Sequence, residues 1–537
     1  MPVQDPNAEN ENIVSAQHPP SMRLTTKVQV SGWRFLLRRL EHAIVRRNTE
    51  MWDDPGRFYS RATMVGIVIS VVICLAAGLL AWLKPQGTVQ GSELLADTTT
   101  NQLFILDSNS DTLRPVYNLT SGRLILGQPD DPRRVKTAEL NRYRRAQTAG
   151  IPGAPFATPV DQKTTGYWTV CDTVSRAETS RPGVTVSVIG DEPVLSNDIT
   201  ELAEGQSALV TFRDNTYLVD RAGRHAIDLT NTAITAAIDL PPSAVTSIPI
   251  SEALYNALPA ASPLALPFIQ SAGDQNPFGL DPAIRIGTVI TDTTSDDKQF
   301  YVVLADGLAK INQVTASALR NTNAYGFVNP PALTADRIAA IPEREYKSPL
   351  TALSVIDRTL SPALCWAWEK NSTDSVPPAI RILQGRNVPV PTDELNAGID
   401  QITANVTVYQ HGGRFVEIIG PTNHGESQFY IDPTSVRYGM GDKDAAGDLG
   451  LSNPQPAPWA AIRLLASGPD LSKQAALLEH DTLPPDPRPR PIPAAGQPAP
   501  AVPATPAAGL PAPAMPTMPA APNAGLPAPA EGGTPPR

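Results

Sequence analysis

Residues 62–83 read ATMVGIVISVVICLAAGLLAWL, 22 residues without a charge. At about 1.5 Å rise each, a helix of that length spans about 33 Å, and a bilayer core is about 30 Å thick. Arg57 and Arg61 lie just before the run, Trp82 and Lys84 close it, and Pro85 stops the helix. A cleaved signal peptide would lie nearer the start and carry a shorter apolar core. A buried core helix would rarely lack every charge over this length. The run reads as a single membrane span.

Flanking cations orient it. Arg46, Arg47, Arg57 and Arg61 fall within 20 residues before the span, whereas Lys84 stands alone after it until Arg114. The positive-inside rule puts residues 1–61 in the cytoplasm and the bulk of the chain on the exported side.

The whole chain has 537 residues, 43 Lys+Arg against 53 Asp+Glu, a net charge of −10, 56 Pro and 3 Cys. This length suggests three domains at most. The acidic balance argues against a general nucleic-acid binder, which needs clustered Lys and Arg. Three Cys exclude a disulfide-dense scaffold and a multi-Cys zinc array. Residues 484–537 hold 19 of the prolines, mixed with Ala and Gly. Such a tail cannot build a core and is expected to be disordered, with polyproline-II character. It reads either as a passive spacer or as a reach toward the cell wall or a partner. The folded exported region is then residues 84–483.

The cytoplasmic segment contains SGWRFLLRRLEHAIVRR over 31–47. Ser31 is positioned to cap a helix, and Trp33, Leu36, Leu37, Leu40 and Ile44 recur at helical spacing as an apolar stripe. Arg34, Arg38 and Arg39 flank it. Docking on a partner through Trp33, Arg34, Leu37, Arg38, Arg39 and Leu40 fits this pattern. So does lying on the anionic inner membrane face, or packing locally on its own chain.

Four exported pieces share a strand-like pattern: QLFIL with Phe104, NTYLV with Tyr217, QFYVV with Tyr301 and GRFVE with Phe415. Each precedes a second element, YNLTS, IDLTN, INQVT or IDPTS, whose Thr (Thr120, Thr230, Thr315, Thr434) is read as a cap. Phe104 and Tyr301 are 197 residues apart, Tyr217 and Phe415 are 198, Cys171 and Cys365 are 194, and Gly190 and Gly385 are 195. One offset near 195 implies two homologous halves, about 87–285 and 286–480. The expected fold class is α+β, an elongated pseudo-twofold arrangement of four small α/β repeats around a central core.

Cys74 lies in the apolar run and reads as an inert small hydrophobe. Cys171 and Cys365 lie on the exported side, where an even pair usually bridges; two free thiols are the alternative. Equivalent strands of two halves can meet at a pseudo-twofold axis, which would bring these sulfurs together.

Catalytic signatures are missing. The dipeptide Gly-Lys is absent, so no P-loop exists, and H-E-x-x-H, C-x-x-C and G-x-S-x-G are absent too. His411 and His424 sit in Gly-containing turns without a third ligand and read as solvated loop histidines. Asp442, Asp444, Gly447 and Asp448 fit part of a calcium loop, but Ala446 stands where an oxygen ligand belongs and Asn453 where a bidentate Glu does. Asp107, Asn109 and Asp111 fit less well. The expectation is no catalytic, cofactor or metal site.

The stretches TTKVQVSGWRFLLRRLEHAIVRR, YNLTSGRLILG, IPGAP, GRHAIDLT, ALCWAW, YIDPTSVRYG and KQAALLEHDTLPPDP, with the span ending in KPQG, resemble the EccB family. EccB is the membrane-anchored component of the mycobacterial type VII (ESX) secretion machine. The resemblance runs over about 22–487 and points to the paralogue of the first-described, virulence-associated system, although the long Pro/Ala tail departs from that subtype. It implies an inner-membrane complex with the motor ATPase EccC and with EccD and EccE, built as a hexamer of protomers. It also implies a cytoplasmic arm that contacts partners, periplasmic self-association, and a core disulfide carried onto Cys171 and Cys365. Family members carry an ATPase label, and ATP is implied by that label alone. Three functions compete: a structural subunit linking motor to periplasm for export of small helical effectors, an extracytoplasmic ATPase, and a cell-wall-binding module.

Overall fold

The computed structural model describes residues 26–47, 55–83, 88–89, 91–174, 183–240, 247–293, 298–401, 406–420 and 425–483. The helix stop expected at Lys84 and Pro85, His424 and the tail over 484–537 lie outside the described residues. The chain divides into two units, residues 1–86 and 87–537.

The first unit carries α1 (Lys27–Arg46) and α2 (Pro55–Leu83). Thr26, not Ser31, caps α1: its hydroxyl accepts from the Gln29 N–H, and the Gln29 side chain reaches back to the Thr26 N–H. This reciprocal box satisfies two orphan donors at once, so the helix starts four residues before Ser31. Arg47 ends it in the left-handed region at φ 52°. Helix α2 begins with Pro55, whose missing N–H costs nothing at a first helical position. Its stretch Arg61–Leu80 is long and apolar enough to cross a membrane.

In the second unit, seven strands form a central sheet. In spatial order they are Ile399–Gln401, Val406–Tyr409, Val184–Ile189, Thr165–Val174, Ala363–Asn371, Ala379–Gly385 and Ile199–Glu201. All neighbours are antiparallel except Val406–Tyr409, which runs parallel to Val184–Ile189. Both faces of the middle strands are buried, which is why TGYWTVCDTV and ALCWAWEKN are apolar on both sides. One face presents Trp168, Val170, Leu364, Trp366 and Trp368 to the largest core, which includes Leu254 and Ile462 from two short helices. The other presents Cys171, Cys365, Ala367 and Leu383. Gly166 is required by close approach: a Cβ there would lie 1.9 Å from the Pro456 carbonyl oxygen.

Four smaller sheets share one connectivity: a three-stranded antiparallel meander, a helix, a strand parallel to the first, another helix, and a residue pair or strand parallel to the third. The first uses Leu94–Asp97, Leu103–Asp107 and Thr112–Val116, with Arg133–Val135 and Arg144–Arg145 at its margins. The second uses Gln206–Phe212, Asn215–Asp220 and Gly223–Ala226, with Ile248–Pro249 and a bridge from Arg224 to Ala260. The third uses Val289–Asp292, Phe300–Val303 and Leu308–Ile311, with Ala332–Leu333 and Glu343–Arg344. The fourth uses Arg414–Ile419, Gly425–Ile431 and Val436–Gly439, with Gln455–Ala457 and Ala466–Ser467.

Two expectations need correcting. Phe104, Tyr217 and Tyr301 lie on middle strands, but Phe415 lies on a first strand, and its partner Tyr430 occupies the middle one. A single offset therefore does not relate the four sheets. The second half is longer here: it sends two strands, Ile399–Gln401 and Val406–Tyr409, into the central sheet before the fourth meander begins, where the first half sends Ile199–Glu201 before the second. The caps are also not threonines. Asn118, Asn231 and Asn312 accept from Ser121, Ile234 and Thr315 N–H groups at three helix starts. Thr434 instead lies in a turn held by Asp432, whose carboxylate accepts from the Thr434 N–H and hydroxyl and the Val436 N–H.

Candidate functional site

The arm residues share one helix. Trp33, Leu36, Leu37, Leu40 and Ile44 form one face of α1, and they remain exposed: Trp33 64%, Leu37 47% and Leu40 58%. Burying a side chain of this size is worth about 1.5–3 kcal/mol, so five such residues on one stripe leave a substantial apolar face that none of the described residues covers. Arg34 borders the stripe, while Arg38 and Arg39 lie toward the opposite face. Phe35, also exposed, sits among the cations and was not singled out by the periodic reading.

Cys171 and Cys365 form a disulfide across the two middle strands of the central sheet, 194 residues apart in sequence. Their Cα atoms lie 4.0 Å apart, and both side chains are fully buried. Cys74 is a free thiol on α2.

A polar clasp beside the sheet was not legible in the sequence. The Asp191 carboxylate pairs with the Arg414 guanidinium and accepts from the His411 backbone N–H at 3.0 Å. It also meets His411 Nδ1 at 3.1 Å and the Lys163 ammonium at 3.5 Å. Burial pushes this carboxyl up, but Arg414, His411 and Lys163 outweigh it and hold it below the ordinary carboxylate range. Arg414 is 2% exposed and lies over the Trp168 ring. His411 itself is solvated, as expected, with Glu394 at 3.7 Å from its other ring nitrogen. No motif predicts this clasp, because Asp191 lies 220 and 223 positions from His411 and Arg414.

A second buried acid faces the large core. Asp172 accepts from the Ser251 N–H and hydroxyl, both at 2.6 Å, and so holds the start of helix Glu252–Ala257. Burial raises its carboxyl to about 6 against the opposing pull of Ser251 and Arg358. The buried Arg358 is itself lowered to about 10 by desolvation and therefore stays charged.

Two of the calcium-like carboxylates, Asp442 and Asp107, accept from turn and helix-start donors, while Asp444 stands at a helix start without a side-chain cap. Asp442 accepts from the N–H groups of Ala445 and Lys473, and Asp107 accepts from the Asn109 N–H and the Ser110 hydroxyl. Among the described residues no group of three or more His, Cys, Asp or Glu could hold a metal ion.

Residues 22–485 match the family described as type VII secretion system ESX-1, transport TM domain B. The chain is 50% identical to the ESX-1 secretion system ATPase EccB1 of Mycobacterium tuberculosis over 89% of its own length and 100% of that protein's. It is 37% identical to the ESX-3 secretion system ATPase EccB3 of the same species, over 88% and 93% of the two chains. Among solved structures it resembles a chain of an intact ESX-5 inner membrane complex, at 31% identity and a TM-score of 0.69, covering 88% of this chain and 99% of that one. It also resembles the EccB3 dimer from the ESX-3 core complex, at 31% identity and a TM-score of 0.65, covering 72% and 100%. The chain therefore belongs to the EccB family of type VII (ESX) secretion, nearer in sequence to the ESX-1 relatives than to those of ESX-3.

Proposed function

We propose that this protein is a structural subunit of the type VII secretion machine in the inner membrane. Its arm meets the cytoplasmic motor, α2 spans the bilayer, and its sheets join a periplasmic assembly that exports small helical proteins. The observation that carries this reading is the exposed Trp33–Ile44 stripe on α1, a short distance in sequence before the one membrane-length helix among the described residues. Four arginines before the span against one lysine after it favour a cytoplasmic arm. Relatives in an inner membrane complex, a periplasmic assembly and a dimer support the partners. The shared connectivity of the four small sheets, and a cysteine facing its own equivalent, support descent from two homologous halves about a pseudo-twofold axis. Purification from membranes in mild detergent should bring along EccC, EccD and EccE. Recovery of the chain without any of them would overturn the reading.

The relatives' own names favour a second reading, ATP hydrolysis. The purified full chain in detergent is expected to hydrolyse ATP no faster than a mock preparation, since no phosphate-cradling Gly-Lys loop exists. Activity that survives further purification and vanishes with one point substitution would establish the second reading instead.

A further inference from the structure

The first small sheet carries a cavity of about 350 Å³ beside the last described strand, Glu479–His480. Ile105, Ile125, Leu126 and Leu477 give it an apolar lining, and Glu93, Asp107 and Glu479 give it an acidic one. Its one cation, Arg114, is already paired with Glu479. The hydrogen bonds to Asp107 come from the neutral Asn109 N–H and Ser110 hydroxyl, which favour its charged form. The site thus keeps two surplus negative charges above an apolar floor.

The chain's own continuation has the complementary chemistry. Strand Glu479–His480 pairs with Thr148–Ala149, and the last described residue, Leu483, is 51% exposed. The 54 residues that follow open with PPDPRPRPIP over 484–493. Arg488 and Arg490 are the only cations between Lys473 and Arg537. A proline-rich segment loses little entropy on docking, and its rings suit an apolar groove. At about 3.1 Å per residue, the nine residues from Glu479 to Arg488 reach about 28 Å, ample to turn back onto the cavity. A short tether also supplies an effective concentration in the millimolar range, so a weak contact is enough for occupancy.

We propose that residues 484–493 dock in cis on this cavity, with Arg488 and Arg490 against Glu93 and Asp107 and the prolines over Ile105, Ile125, Leu126 and Leu477. The docked segment covers the apolar floor and fixes the direction in which the long tail departs.

The test is photo-cross-linking of the full chain in detergent, with benzoylphenylalanine at position 487. Equal amounts of isotopically heavy and light protein are mixed so that links within and between chains differ in mass. The expected product joins position 487 to residues 93–126 or 477–479 of the same chain. Glu93→Lys with Asp107→Lys, and separately Arg488→Glu with Arg490→Glu, should each lower its yield about tenfold, and combining all four should restore most of it. The tail variants cannot perturb the sheet, so a loss there is not a folding defect. Cross-links that map elsewhere, fail to form, join heavy to light chains, or ignore the charge reversals would each overturn the proposal.

Discussion

Cys171 stands directly opposite Cys365 on the two middle strands of the central sheet, so the residues that correspond across a 194-residue shift also bridge one another. In an antiparallel pair, only a residue on the local twofold axis can face its own equivalent. Three residues away, Trp168 faces Trp368, outside that correspondence. For a closed loop of this length the chain-entropy treatment gives about 5 kcal/mol, and measured bridges more often give 2–4. Cys171→Ser should lower the denaturation midpoint of the second unit accordingly. Adding Cys365→Ser should cost little more, because the bridge is already broken. Additive losses in urea melts would contradict this.

The Asp191 clasp has an acid signature. Its folded carboxyl titrates below the unfolded value near 3.8. The stabilisation is therefore complete above about pH 4 and drains away as pH falls through the folded value. Asp191→Ala strands the buried Arg414 without its carboxylate and should cost about 3 kcal/mol at pH 7. Melts from pH 7 down to pH 3 should show the variant and the parent converging at the acid end.

Asp172 works in the opposite sense. Its carboxyl is raised from 3.8 to about 6, so the folded state holds a proton that the unfolded chain releases between those values. Stability contributed by this group falls as pH rises from about 4 to about 6, by roughly 2 kcal/mol. Asp172→Asn removes that slope, though it also exchanges one Ser251 acceptor for a donor. Denaturation midpoints at pH 4, 5 and 6 read the slope directly.

Several features were legible because they depend on local chemistry. The membrane-length run, the helical stripe and the strand motifs at Phe104, Tyr217 and Tyr301 each follow from periodicity within one element. The fourth motif failed for the same reason: GRFVE and the QFYI around Tyr430 are both good strands, and periodicity cannot say which is central. The one strand by which the second half exceeds the first in the central sheet broke the single offset without any signal in composition. Asn caps lay one to three residues from the threonines read as caps, and both residue types cap well. The Asp191–Arg414 and Asp172–Ser251 contacts join residues 223 and 79 positions apart, beyond the reach of any local pattern.

The proposed link to the motor runs through α1 as a docking helix. Leu37→Asp with Leu40→Asp places two charges in the stripe while leaving the Thr26 cap, α2 and the second unit untouched. The decisive measurement is the amount of EccC recovered per tagged full-length chain from mild-detergent extracts, normalised to membrane-inserted protein. The account predicts at least a tenfold fall with insertion unchanged. Recovery equal to the parent chain would contradict it.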